Sequence, residues 1–403
     1  MTPRSRTRLV VVAGTVLAVV LTGISTLSYG TPAPSSPASS ESVQAADTAA
    51  LDLSLAELVA MPGGPPGVIA ITQVGDNKSV HTAGVADLAT GQAPAAGDYM
   101  RVASVAKAFT GATALSLVGT NDLGLEDTVG TRLPGLPAAW ADITLRQLLN
   151  HTSGLPDFTQ NRSFQEAAFA SMAVAPAPDA LLTVIYDQPL DFPPGSEYRY
   201  SNSDNIVVGL MIEAATGLDY ADVLRQRVLE PLGLDSTAIP TGIDLPAPFL
   251  HGYDLDPPNS PADVSTLMAA GWSWASGGIV STPNDLNTFI RGYVGGELFG
   301  PDTQAEQTEL FIPGGASGPP GPGINSASLS LFRYNTPCGV VYGHTGNIPG
   351  YTQFAVASPD GTRSATVSIT LARNEGSQGQ DLEVLHALQQ AEQVAICLIM
   401  DGA

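Results

Sequence analysis

Apolar and polar positions alternate differently in three parts of the 403-residue chain. Near the start, Ala46 to Ala60 is apolar at helical spacing. Pro65-Pro66-Gly67 then opens a strand over Val68–Val74, which Asp76-Asn77 turns into a second strand over Val80–Ala86. The central part reads as helices among Pro/Gly loops. The strongest is Ala106–Val118, stopped by Gly119, and another runs from about Asn205 to Ala215 with Gly217 just past its end. Gly314 to Gly323 is a Pro/Gly loop without an element. After residue 328 the pattern turns to strands, at Ser328–Phe332, Gly339–Tyr342, Gln353–Ala357 and Ala365–Leu371, with a hairpin turn at Pro359-Asp360-Gly361. Asp381–Met400 is a closing amphipathic helix. Strands at both chain ends around a helical middle predict an α+β fold, one antiparallel sheet made from both termini (about 46–90 and 328–401) with an inserted, mainly helical region (about 100–300). There are no repeats.

The first 45 residues read as targeting sequence. Arg4, Arg6 and Arg8 precede the almost wholly apolar Leu9–Leu21, a Thr/Ser/Pro/Ala stretch follows, and Val43-Gln44-Ala45 is a passable cleavage site. Residues 31–46 read as a flexible tether. The alternative is an uncleaved anchor, since Leu9–Tyr29 is just long enough to span a bilayer. Either way the body, 46–401, is expected outside the cytoplasm as one large domain, with no lipobox cysteine and no twin arginine.

Composition narrows the function. Apolar residues make up 44% and charged ones 13%, which excludes wholesale disorder. Asp+Glu number 38 against Lys+Arg 16, a net charge of −22 that repels nucleic acid and acidic membrane surfaces. Walker loops and dinucleotide turns are absent from the sequence. For an exported chain the two cysteines, Cys338 and Cys397, read first as a disulfide; a catalytic thiol or a metal pair is the alternative.

Candidate chemistry starts from scarcity: the chain has two lysines, Lys78 and Lys107. Lys107 lies three residues after Ser104 at the mouth of the strongest helix, so ammonium and hydroxyl share a face. A cation there favours the alkoxide and can relay its proton, although an N-cap serine followed by a surface lysine has the same spacing. Tyr200-Ser201-Asn202 precedes the helix near residue 205. A tyrosine near a lysine can have its pKa lowered enough for general-base work; otherwise Tyr200 packs on a loop and Asn202 caps the helix. His344-Thr345-Gly346 follows a short strand, where an edge can hydrogen-bond an extended peptide. A Ser-His-Asp hydrolase using His151 or His344 is the competing arrangement, but the Gly-x-Ser-x-Gly elbow is missing.

Taken in order, Ser-x-x-Lys, Tyr-x-Asn and His-Thr-Gly resemble the penicillin-binding serine hydrolases, and more narrowly the secreted D-alanyl-D-alanine carboxypeptidases and class C β-lactamase relatives of peptidase family S12. The likeness runs from about Ala46 to Cys397, nearly all of the presumed mature protein, and includes Leu148–Leu155, Ser276–Thr282 and Cys338–Gly346. It implies an α/β/α sandwich of the β-lactamase/transpeptidase kind and a serine-type D-Ala-D-Ala carboxypeptidase-like hydrolase. In that reading Ser104 is the acylated nucleophile, Lys107 and Tyr200 share the proton work, and Asn202 orients Lys107 and the substrate amide. His344 supplies polarity or a switchable charge opposite Tyr200. The backbone N–H groups of Ser104 and Asn347 form the oxyanion hole. Thr345, Gly346, Trp274 and Arg333 contact substrate, His151 sits in a structural loop, and Cys338 pairs with Cys397. No metal or organic cofactor is implied. The partners are D-Ala-D-Ala peptides and β-lactams as small-molecule or peptide substrates, and the chain is expected to be a monomer.

The resemblance has two gaps. Asn347 stands where the carboxypeptidases have threonine, and their carboxylate-gripping arginine falls on Phe332, with Arg333 one step away. A one-residue slip on a strand turns a side chain to the opposite face. Without that clamp, esterase, D-amino-acid amidase, D-aminopeptidase or β-lactamase activity stays open, as does a catalytically silent sensor of cell-wall fragments.

Overall fold

Alternation along the strands separates two hydrophobic cores on opposite faces of one sheet. In the computed structural model, which describes residues 40–255, 261–309, 311–315 and 317–400, the main sheet has eight strands, all antiparallel to their neighbours. They are β1 (Gly67–Val74), β2 (Asn77–Gly84), β3 (Ile312–Pro313), β4 (Ser326–Ala327), β5 (Phe332–Thr336), β6 (Gly339–Ile348), β7 (Tyr351–Ala357) and β8 (Arg363–Ile369), in the order β2-β1-β8-β7-β6-β5-β4-β3. On β7, Phe354 and Val356 face one core while Ala355 and Ala357 face the other, the period-2 signature of a sheet covered on both sides.

One covering layer is made by helices α1 (Ser40–Ala60) and α5 (Gln380–Met400). Leu51, Leu55 and Leu58 of α1 fall on a single helical stripe and pack with Val384, Leu388 and Ala395 of α5. The other layer is the helical region: α2 (Ala106–Gly119), α3 (Asn202–Thr216) and α4 (Pro283–Val294), with shorter turns between them. Gly217 closes α3 in the left-handed conformation, as its place in the sequence suggests. The result is the expected α/β/α arrangement, built from both chain ends. Residues from Ser40 onward form one unit, so sheet and helical region are not separate domains.

The structure moves several boundaries. Of the expected export segment, residues 1–39 lie outside the described residues, and α1 already begins at Ser40, so the sequence Val43-Gln44-Ala45 is helical. The expected strand over Ser328–Phe332 is two strands, β4 and β5, around a closed loop in which the Ser328 amide donates to the Leu331 carbonyl at 2.8 Å. Leu329 and Leu331 enter the helical-side core from that loop, which mimics strand alternation in the sequence. β2 stops at Gly84 and does not reach Ala86, because Gly84 takes a positive φ of 71°. Among the described residues no helix is long and apolar enough to cross a membrane.

Cys338, in the turn between β5 and β6, is bonded to Cys397 on α5 across a Cα separation of 5.1 Å, tying the helix to the hairpin that carries His344. For a separation of 59 residues the chain-entropy account gives a stabilisation of about 4 kcal/mol. The double variant Cys338→Ser/Cys397→Ser is therefore expected to unfold at a clearly lower guanidinium midpoint than the oxidised protein, and to match the fully reduced wild type.

Candidate active site

Ser104 sits in a one-turn 3-10 helix, Ala103–Val105, that leads straight into α2. Ala103 has a positive φ of 50°, a strained conformation for an alanine, and it sets the turn that presents Ser104. One helical turn on, Lys107 is fully buried. Its Nζ lies 3.1 Å from Ser104 Oγ, 2.7 Å from Asn202 Oδ1 and 2.7 Å from the Ser276 carbonyl oxygen. Asn202 is the first residue of α3 and is itself aimed by a 2.8 Å hydrogen bond from its Nδ2 to Asp157 Oδ2. Asn202 thus orients Lys107 and does not cap the helix. Burial disfavours the ammonium and brings the Lys107 pKa down to about 7, although the Asp157 and Asp204 carboxylates pull it upward. With the proton lost, the 3.1 Å contact can run from the serine hydroxyl to the amine.

Tyr200 and His344 differ from expectation in charge. The Tyr200 ring stands 4.9 Å below Lys107 Nζ and its phenol hydrogen-bonds toward Ser104. Burial nevertheless pushes the phenol well above its ordinary range, so the lowered pKa expected from its lysine neighbour is not found: desolvation of the phenolate outweighs the cation. His344 is likewise buried, stacked on Phe332 with ring centroids 4.4 Å apart and 6.5 Å from the Tyr200 ring. Burial, then the nearby Lys107, holds it neutral with a pKa lowered to about 3. It supplies polarity to the site and not a charge that switches near neutral pH. His151 packs its ring 4.5 Å from that of Tyr200, and its Nδ1 meets Asp204 Oδ2 at 2.7 Å. It backs the tyrosine from the helical core, its imidazole held neutral by burial.

The sheet supplies the other wall. Pairing of β5 with β6 ends at Phe332–Gly343, so His344–Ile348 keeps a strand partner only on the β7 side. A side chain at Gly346 would collide with the Val102 carbonyl and come within 3.0 Å of the Ser104 amide nitrogen. Glycine there lets the strand lie against the nucleophile turn, which brings the Gly346–Asn347 backbone beside Ser104. Thr345 exchanges a 2.6 Å hydrogen bond with Ser317. The Asn347 side chain is committed elsewhere, donating to Thr352 Oγ1 at 2.9 Å and to the Arg373 carbonyl at 2.8 Å. Ser104, Tyr200, Phe332, His344, Thr345 and Asn347 line one cavity of about 620 Å³.

Two expected substrate contacts turn away from that cavity. Trp274 is 8% exposed and packs edge-on against Tyr220, with its ring close over Gly209 of α3; its short helix, Trp274–Gly277, contributes the Ser276 carbonyl instead. Arg333 lies on the face of β5 opposite Phe332, its guanidinium 5.8 Å over the Phe311 ring. The one-residue slip seen in the sequence is thus not corrected by a bulge. Sequence reasoning missed Asp157, which follows the Leu148–Leu155 segment without a motif of its own, and the cavity residues Arg373 and Glu392. Among the described residues no group of three or more His, Cys, Asp or Glu is placed to hold a metal.

Comparison with known proteins agrees with this geometry. The model of the family described as Beta-lactamase matches residues 55–390. A Streptomyces D-stereospecific amidohydrolase structure is 30% identical and superposes with a TM-score of 0.72 over 83% of this chain and 97% of that one. Penicillin-binding protein 4* of Bacillus subtilis (strain 168) is 25% identical over 305 residues, 72% of this chain and 64% of the relative's length. The D-amino acid amidase of Ochrobactrum anthropi SV3, at 23% identity, shares the fold, with a TM-score of 0.75 over 88% of this chain and 99% of that one. The chain belongs to the beta-lactamase family.

If Lys107 is the base toward Ser104, kcat/KM for a hydrolysed amide or ester rises about tenfold per pH unit below an apparent pKa near 7 and levels off above it. Asp157→Asn removes a carboxylate that raises the Lys107 pKa, so this variant is expected to shift the acidic limb to lower pH. An unmoved limb separates Lys107 from the titration.

Proposed function

We propose that this protein hydrolyses D-amino-acid amides and peptides through an acyl-Ser104 intermediate. The observation that carries the reading is the desolvated Lys107 amine within hydrogen-bond distance of the serine hydroxyl. Neutral Lys107 takes the Ser104 proton as Oγ attacks the scissile carbonyl carbon. The N–H groups of Ser104 and Asn347 receive the oxyanion, which costs no reorganisation because backbone holds both. Collapse breaks the carbonyl–nitrogen bond, and the leaving amine takes the proton by way of Lys107 and the neutral Tyr200 phenol. Water then attacks the acyl carbonyl with Lys107 again as proton acceptor; the acyl carbon–Oγ bond breaks, Lys107 returns the proton to Ser104 Oγ, and the acid departs. The open edge of β6 would pair with the backbone of an extended substrate. Preference for D-residues is supported by the likeness to a D-stereospecific amidohydrolase.

Release of a carboxylate-terminated D-alanine is the second reading. It is favoured by the place of Arg373, which lines the cavity beside Asn347 with its guanidinium paired to Asp381, whereas Arg333 turns away from the cavity. We place the mature enzyme outside the cytoplasm on the strength of its leader sequence and its cysteine pairing, with a signal anchor as the alternative.

The test follows intact mass and product release for the chain lacking residues 1–39. D- and L-phenylalaninamide, a diacetyl-L-Lys-D-Ala-D-Ala peptide and benzylpenicillin are offered in turn. The expected outcome is hydrolysis of the D-amide over the L-amide, falling by at least about a thousandfold in Ser104→Ala. Release of D-alanine in place of amide hydrolysis selects the carboxypeptidase reading, and rapid turnover of benzylpenicillin selects a β-lactamase. If no probe acylates Ser104, the hydrolytic proposal fails and the sensor reading replaces it. Tyr200→Phe retains the packing against His151 but removes the phenolic proton, and is expected to lower kcat by about a hundredfold with KM little changed.

A further inference from the structure

The catalytic cavity continues past the serine to α5, where Leu385, Leu388, Gln389 and Glu392 form its far wall. The two leucines are apolar, and the Gln389 amide is spent on the Gly318 carbonyl at 3.1 Å. Glu392 is different. It is 3% exposed, and its Oε2 meets no hydrogen-bond partner among the described residues. Burial alone pushes the Glu392 carboxyl up to about 8, and no cation of the protein offsets it. Arg373 belongs to the other end of the cavity, where it is paired with Asp381. From Asp381 to Glu392 the helix rises about 16 Å at 1.5 Å per residue.

An unpaired buried acid is strongly unfavourable, and a hydrophobic residue would suit this stretch of α5, whose neighbours Leu388, Ala391, Ala395 and Ile396 are all core. Its placement on the wall of the substrate cavity points outward from the fold, toward a ligand. We propose that Glu392 forms a subsite for a primary ammonium group carried by the acyl portion of the substrate. The acceptor it offers is a lone carboxylate in an otherwise apolar stretch of α5. Such a carboxylate pairs with the compact ammonium groups that D-amino-acid amides and lysyl peptides carry. The assignment rests on acyl transfer at Ser104 for the identity of the acyl portion. It extends that reading from the reacting bond to the substrate's charge, and the ammonium is either the α-amino group or a basic side chain further along.

The experiment measures binding by calorimetry at pH 7, using the Ser104→Ala protein so that no turnover intervenes. Three probes are compared: D-alaninamide, which carries an α-ammonium; N-acetyl-D-alaninamide, which carries none; and Nα-acetyl-L-lysyl-D-alaninamide, which carries only a side-chain ammonium. One of the two cationic probes is expected to bind at least about tenfold more tightly than the neutral one. Whichever it is identifies the source. Adding Glu392→Gln is expected to abolish the preference while leaving the melting temperature unchanged or higher, since a buried acid has been removed. Glu392→Leu serves as the second variant should the glutamine disturb folding. Equal affinities for all three probes, no binding of any, or a preference that survives both variants overturns the subsite. Hydrolysis of the same probes by the wild type is followed in parallel: turnover with equal affinities removes Glu392 alone, and Glu392-dependent binding without turnover removes the hydrolytic reading alone.

Discussion

A lysine taken entirely out of water organises this molecule. Lys107 has three polar contacts, and each comes from a different piece of the chain: Ser104 from the turn before α2, Asn202 from the start of α3, and Ser276 from the short helix that follows the long central region. An ammonium buried without such partners would cost far more than the fold can supply. The three elements must therefore converge on one point, and in converging they place the serine. The desolvation that makes the arrangement expensive also lowers the lysine pKa to about 7, the range in which an amine can take up and return a proton. Structural cost and chemical capacity are here the same physical effect.

The remaining catalytic side chains follow from that dry environment. Tyr200 and His344 are held neutral by the desolvation that neutralises Lys107, since a phenolate or an imidazolium beside it would again need solvation. His151 and Asp204 extend the polar cluster into the helical core, where each satisfies the other. The sheet contributes geometry more than charge. Gly346 allows β6 to lie on the nucleophile turn, and the early end of β5 leaves the adjoining strand edge unpaired. Ser104, Tyr200 and the His344–Asn347 segment are thereby brought onto one cavity, whose far wall is a helix fixed to the same hairpin by the Cys338–Cys397 bond.

Much of this was legible in the chain itself. The Ser104–Lys107 relation depends on one helical turn, and the α2 pattern is strong enough to read as such a turn. Two-sided strands at both ends, turn residues at Pro359-Asp360-Gly361 and Gly217 after α3 were equally local signals. Where local pattern misled, a nonlocal cause is visible. Ser328–Phe332 alternates like a strand because its leucines reach the helical core from a loop. Arg333 and Trp274 carry the right chemistry near the right motifs, but strand register points one at Phe311 and core packing points the other at Tyr220.

The sequence by itself determined the fold class, the order of the motifs and the closeness of Ser104 to Lys107, because those rest on periodicity and on spacings within single elements. Only the tertiary structure decided which groups are charged, which face of β5 meets the cavity, and that Asp157, Arg373 and Glu392 share the neighbourhood of Ser104. Protonation follows from burial, and burial is a property of residues far apart in the chain. Glu392 shows this most plainly: within its helix it is one glutamate among apolar neighbours, and it acquires meaning only when the fold sets it in one cavity with Ser104, Gly315 and Ser317.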